Sequence, residues 1–195
     1  MAACLAAGAS GCTPVTGTAV PVEHLTNQAD LDVTVFVTPI SATSFLQPES
    51  TIAFRFTPSA NLLELTDVDL RGSNVHFAIN DLIGIDATDI RVRQLPGGAG
   101  IVGVVDPLSG TVGVLADVQV EGSVYLDGAF VYPAVEPVTV ALDGSFAYDA
   151  STGSAFLSDF HGSLLPVTFS VGPMLVRLAG ELTFNFEGAA APPAG

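Results

Sequence analysis

The chain has no lysine and no tryptophan, two cysteines and five arginines, and charged side chains make up 13% of its 195 residues. Ordinary soluble domains carry about 25%. Each scarcity removes a class of function. Five arginines against twenty acids leave a net charge of −15; that field repels phosphate backbones, which argues against nucleic acid as a partner, and disfavours anionic membrane surfaces for the same reason. Cys4 and Cys12 have no companion histidines in ligand spacing, His24 being the nearest, so they do not make a four-ligand zinc site. No run of 18 or more apolar residues occurs, so no transmembrane helix is expected. Tyrosine is limited to Tyr125, Tyr132 and Tyr148, which leaves few of the polar-tipped rings that usually meet sugar faces. Helical periodicity is nearly absent as well.

Strand signals dominate what is there. Short runs rich in Val, Ile, Thr and Phe are divided by Gly, Pro, Asn and Asp, the pattern of strands and turns. Thr51–Thr57 (TIAFRFT) sets Ile52, Phe54 and Phe56 against Ala53 and Arg55, and Glu181–Glu187 (ELTFNFE) sets Leu182, Phe184 and Phe186 against Thr183 and Asn185. Asp32–Thr38, Thr66–Arg71, Asn74–Asn80, Ile90–Arg93, Ile101–Val105 and Thr111–Val120 read the same way. Thereafter a meander of short strands is expected over Ser123–Leu126, Ala129–Tyr132, Val138–Leu142, Ser145–Tyr148, Ser154–Leu157, Val167–Val171, Leu175–Leu178 and Glu181–Glu187. Clean alternation means one face on a core and one in water. The fold class is all-β: an antiparallel β-sandwich or barrel ending in a C-terminal meander of hairpins. Ala60–Leu65 (ANLLEL) is the one segment in which a helical turn is expected, and Asp67 and Asp69 read as a solvated strand edge.

Residues 1–22 carry no charge and form a low-complexity leader; residues 23–188 make a single β domain, and residues 189–195 (AAAPPAG) a flexible tail. Within the leader, Leu5–Cys12 (LAAGASGC) looks like the tail of a bacterial lipoprotein signal, small residues leading to a cysteine. It has Ala9 where leucine is preferred, and neither a basic region nor a full apolar run precedes it. One explanation is a start site placed too far downstream; the other is a disordered Ala/Gly/Ser/Thr leader in which Cys4 and Cys12 are idle or pair as a small disulfide. Cys12 is the candidate lipidation site and Cys4 a weaker one.

Two stretches echo each other. Asp106–Asp117 reads DPLSGTVGVLAD and Asp149–Asp159 reads DASTGSAFLSD. Acidic loops of this kind suggest either a held cation or one hairpin made twice. Asp-x-x-Ser/Thr-Gly suits a hairpin turn: the acid caps it and the glycine takes positive φ. The echo then slips by one residue, which reverses the facing of a strand side chain, so the architectural reading is preferred. PVTVAL (Pro137–Leu142) against PVTFSV (Pro166–Val171), and LDG (Leu142–Gly144) against LAG (Leu178–Gly180), point to the same duplication. Asp81, Asp86 and Asp89 form the densest acidic run, but their spacing fits no calcium loop.

No motif for enzymatic chemistry stands out. Asp159 and His161 share a strand face without a nucleophile motif, and Gly97–Gly100 follows Pro96 as a turn, not a phosphate cradle. No catalytic residue, cofactor or metal is expected. The expected function is that of an exported, non-enzymatic β-rich structural or interaction protein, extracytoplasmic (periplasmic, outer-surface or secreted), anchored through its N-terminus if Cys12 is lipidated, and able to self-associate. The alternative is a carrier whose barrel or cupped sheet holds a lipid or other apolar ligand, lined by Phe54, Phe56, Phe77, Phe169, Phe184 and Phe186.

Overall fold

The computed structural model describes residues 13–35, 38–78, 84–97, 100–171 and 174–191, and among them there is no helix. Four long strands, β9 (Thr111–Leu126), β10 (Ala129–Asp149), β11 (Ser154–Val171) and β12 (Met174–Ala191), run as one antiparallel meander and make a continuous wall. The facing wall is built in two tiers. In the lower tier are β1 (Val15–Pro21), β4 (Thr51–Thr57) and β5 (Leu62–Arg71), with β8 (Ile101–Val104) beside β5. In the upper tier are β2 (Gln28–Val35), β3 (Thr38–Phe45), β6 (Val75–Ala78) and β7 (Gly84–Gln94). Hydrogen bonds run β1-β4-β5-β7-β9-β10-β11-β12 and return to β1, so the sheet closes into a barrel-like ring of antiparallel strands.

The meander differs in detail from the expected one. The eight short strands after Val120 are parts of four long ones, because several Gly and Asp residues that read as turns are bulges inside strands. The pairing of β10 with β11 steps from Asp143↔His161 to Ser145↔Ser158, setting Asp159 and Phe160 against Gly144. The pairing of β7 with β9 steps likewise from Thr88↔Ser123 to Arg91↔Glu121, setting Asp89 and Ile90 against Gly122. Both bulged aspartates have positive φ, 54° for Asp89 and 52° for Asp159, which short polar residues tolerate. Such bulges bend a strand and raise its twist, as ring closure requires. Ala60–Leu65 forms no helical turn. It is a tight turn at Ala60–Asn61 leading into β5, whose Leu63 and Leu65 point into the core. β1 lies inside the stretch expected to be a leader, and β12 runs into the expected tail. Val15 and Ala19 are buried, and Thr16–Ala19 pair with Gly188–Ala191. An uncharged Val/Thr/Ala segment is low in complexity and still a good strand once a ring supplies partners on both sides.

The repeated Asp-x-x-Ser/Thr-Gly stretches sit at the lower rim. Asp106 Oδ1 accepts the amides of Leu108 and Ser109, and Asp149 Oδ1 accepts that of Ser151. In each loop the glycine amide donates to the aspartate carbonyl at 2.8 Å, and Gly110 and Gly153 have φ of 77° and 74°. Each glycine carbonyl then accepts an amide from the neighbouring hairpin: Gly110 from Phe146 at 2.9 Å, Gly153 from Ala190 at 2.7 Å. The β4–β5 turn repeats the device with Asn61 (φ 50°), whose carbonyl accepts from Val105 at 2.7 Å. Three loops are thus linked around the rim. The one-residue slip between the two echoes falls at the Asp159–Phe160 bulge, which restores the inward facing of Phe160.

The two tiers meet at a fork. β12 gives Phe186–Ala191 to β1 and Val176–Thr183 to β2. At the changeover stands Asn185, outward by alternation yet only 5% exposed, because the β1–β2 connection covers it. Its Oδ1 accepts the Asp159 amide at 2.8 Å and its Nδ2 donates to the Thr26 carbonyl at 3.0 Å. Its own amide donates to Asn27 Oδ1 at 2.6 Å, and its carbonyl accepts from Val22 at 3.0 Å. The other buried polar side chains among the described residues, Ser44 and Ser50, serve the opposite end of the fork: Ser44 Oγ donates to the Ser73 carbonyl at 2.9 Å, and Ser50 Oγ accepts the Arg71 amide at 2.9 Å.

Two predictions follow from the bulge and the fork. A methyl group on Gly144 would stand 2.6 Å from the Phe160 ring, so Gly144→Ala should cost about 1–3 kcal/mol of overpacking, read as a lower denaturant midpoint with an unchanged slope. Asn185→Leu orphans the Asp159 amide and the Thr26 carbonyl, at about 1–3 kcal/mol for each buried group; urea unfolding should show a loss well above that of an exposed control such as Thr139→Ala.

Candidate functional site: an apolar cavity inside the barrel

Alternation sends the apolar side chains of every strand inward, and they pack as two clusters. The larger fills the lower tier and is rich in rings. Phe56 and Phe146 lie 4.8 Å apart between centroids, Phe160 stacks on Phe184 at 5.1 Å, and Phe184 meets Phe186 edge-on at 5.5 Å. The smaller cluster, with Val33, Val35, Val75, Phe77, Ile85, Val124 and Val176, occupies the upper tier. Where the two clusters meet, the inward positions mix short side chains, such as Ala29, Ala87 and Ala116, with longer ones, such as Leu31, Ile52 and Leu178. These do not reach across the barrel, and a cavity of about 170 Å³ remains. A ring of eight strands has an interior that side chains just fill, or that holds one small ligand; residue size decides which.

The cavity wall presents apolar atoms throughout. The two polar side chains nearest it are already engaged: Ser44 with the Ser73 carbonyl, and Glu121 with Arg93 at 3.8 Å and Gln119 at 3.3 Å. Among the described residues no buried side-chain nitrogen or oxygen lacks a partner, so a guest finds no hydrogen-bonding handle and must itself be apolar.

The six phenylalanines proposed as a lining are divided. Phe77 and Phe184 border the cavity. Phe54, Phe56 and Phe186 are buried in the ring-rich cluster below it, with Phe54 against Phe146 at 5.8 Å. Phe169 is on β11, paired with Val176, and its side chain lies outside the described residues, as do Cys4 and Cys12. Most of the lining was missed, because valine and alanine signal a cavity only when their distance across the barrel is known.

The acidic and histidine candidates do not assemble into a centre. Among the described residues no three of His, Cys, Asp and Glu converge; Asp81 lies outside them. His161 contacts Thr183 Oγ1 at 3.3 Å, not Asp159, and His76 pairs with Asp86 at 2.7 Å on the exposed surface. Asp69 is not on a solvated edge. β5 lies between β4 and β7, and the Arg91 guanidinium grips the Asp69 carboxylate with two bonds of 2.5 Å. That hydrogen bonding holds Asp69 below the usual carboxylate range, against the opposing effect of its partial burial. Asp106 is lowered by the Leu108 and Ser109 amides, Asp149 by the Ser151 hydroxyl and amide, and Asp30 by the Thr43 hydroxyl and Gln28.

The fold and this site define a barrel-like ring of antiparallel strands with an apolar interior. No family model, curated protein or solved structure matches the chain.

The lowered carboxylates set a pH dependence. A group whose folded pKa lies below its unfolded value of about 3.9 contributes its stabilisation in full above that pH and loses it as the pH falls through the folded value. The melting temperature should therefore hold from neutral pH to about pH 4 and drop below it. Asp69→Asn should lower the plateau and make the acid limb shallower, as calorimetry across that range would show.

Proposed function

We propose that the protein is a non-enzymatic carrier that holds one small apolar ligand inside its barrel. The observation that carries this reading is the cavity between the two clusters, about 170 Å³ in volume and walled by apolar atoms. It resembles engineered apolar cavities of about 150 Å³ that stay dry and take up benzene or xenon. It is smaller than the roughly 300–1,000 Å³ of pockets for drug-sized molecules, so the ligand class is a single ring or a short hydrocarbon chain, not a two-chain lipid. The outer face supports a barrel that works in water. Asp30 and Asp32 accept from Thr43 and Ser41 on the outside of β2 and β3, and Asp117 accepts from Thr139 on β9 and β10. Apolar inside and polar outside is the reverse of a membrane-spanning barrel with a polar lumen. The lipobox-like Leu5–Cys12 stretch supports a carrier that works outside the cytoplasm, with Cys12 as the proposed point of lipid attachment.

A second reading, an exported surface protein that binds a protein partner or itself, draws on outward apolar side chains: Leu108 is 95% exposed, Leu115 70% and Val104 67%. Native mass spectrometry of the full chain separates the two. Added small mass on a monomer supports the carrier; a ligand-free oligomer series supports assembly. For the stripped protein, fluorobenzene should bind and raise the melting temperature. Ala116→Leu, which puts three more carbons into the void, should weaken binding by more than about tenfold without loss of stability. Equal binding by both proteins would refute the carrier reading.

A further inference from the structure

Among the described residues, the ring of hydrogen bonds through the upper tier is complete except between β3 and β6. There it is joined at one end: Leu46 bridges Gly72, Ser73 donates to the Phe45 carbonyl at 2.8 Å, Phe45 donates to Ser73 Oγ at 3.0 Å, and Ser44 Oγ donates to the Ser73 carbonyl at 2.9 Å. Beyond this joint, among the described residues, β6 pairs with β7 alone, and β3 ends the strand order next to β2. Yet the Cα atoms of β3 and β6 come within 8 Å. The reason the ladder stops is a phase mismatch. Continued from Leu46↔Gly72, it would set Thr43 against Val75 and Ala42 against His76. Thr43 faces outward, bonded to Asp30, while Val75 is buried; Ala42 packs on the upper cluster, while His76 is exposed. Each pair would join an inward to an outward residue, and a period of two forbids that without a bulge.

This unzipped seam borders the cavity, since Ser44 of β3 and Phe77 of β6 both contribute to its wall. Among the described residues, parting β3 from β6 breaks the joint at Ser44, Phe45 and Ser73 and no further ladder hydrogen bond, whereas parting any neighbouring pair in the long-strand wall breaks a full ladder. Pro39 on β3 fits an edge left open, because proline is kept out of central strands and discourages strand addition from another chain. We infer that the seam between β3 and β6 is the route by which the apolar ligand enters and leaves the cavity. This rests on the carrier reading and adds where the barrel opens.

The test staples the seam. In the full chain with Cys4→Ser and Cys12→Ser, Thr43→Cys and His76→Cys place thiols on the outer sides of the two strands, to be joined by a short bis-maleimide with a cleavable spacer. Asp117→Cys with Thr139→Cys, stapled across the closed β9–β10 ladder, is the control. Fluorobenzene exchange is followed by fluorine NMR. The seam staple should slow association and dissociation alike by about tenfold or more, with affinity unchanged, and cleaving the spacer should restore both rates; the control staple should alter neither. Unchanged rates behind the seam staple, or equal slowing by the control, would overturn the inference while leaving the carrier reading standing. Absence of fluorobenzene binding before any stapling would overturn both.

Discussion

The barrel depends on a buried amide at the point where one strand changes partners. β12 serves two tiers, and a strand that leaves one neighbour for another exposes backbone groups in between. Asn185 supplies two side-chain and two main-chain hydrogen bonds there, and all four go to groups that would otherwise be orphaned: the Asp159 amide in its bulge, the Thr26 carbonyl, Asn27 Oδ1 and the Val22 amide. Buried backbone polar groups must be paired. A ring with a forked wall therefore needs a side chain that donates and accepts at once, and asparagine does so without a charge to desolvate. Ser44 and Ser50 serve the other side of the fork as small hydroxyls that bond backbone directly.

With the fork secured, the tiers fill differently. Below, phenylalanines from β4, β10, β11 and β12 meet at 4.8–5.8 Å and close the barrel with a plug. In the middle the inward positions hold aliphatic side chains, alanine and valine beside leucine and isoleucine, and a cavity remains. An unfilled void loses dispersion contacts and so costs stability; its presence between two well-packed clusters directs attention to it as a site. The void is bordered by β3 and β6, the two upper-tier strands that are out of phase with each other.

Much of the architecture was legible along the chain. Alternation in Thr51–Thr57 and Glu181–Glu187 correctly orients Ile52, Phe54, Phe56, Leu182, Phe184 and Phe186 inward. The Asp-x-x-Ser/Thr-Gly echoes are both turns, because an acid that caps backbone amides and a glycine at positive φ are local chemistry; only the second joins a hairpin, β10 to β11, whereas β8 before the first pairs with β5. Less legible was whether a Gly or Asp inside an apolar run ends a strand or bulges it. Gly122, Gly144 and Asp159 carry the same signals as turn residues, and only a partner strand on either side makes Asp159 a bulge and sets the two glycines opposite bulges. The uncharged Val15–Pro21 segment was obscured for a related reason: its partners are Thr51–Thr57 and the C-terminal end of β12, nearly the whole chain away.

The sequence by itself determined the class: strands rather than helices, an inner and an outer face, the turns at the rim, and an acidic surface short of charge. These depend on side-chain period and local backbone chemistry, which neighbours in the chain set among themselves. Only the tertiary structure decided that the sheet closes, that Asn185 faces a covering loop instead of water, that a cavity remains where the two clusters meet, and that one seam stays unzipped. Each of those is a relation between residues remote in sequence. It depends on distance and phase across the ring, and neither exists until the ring has formed.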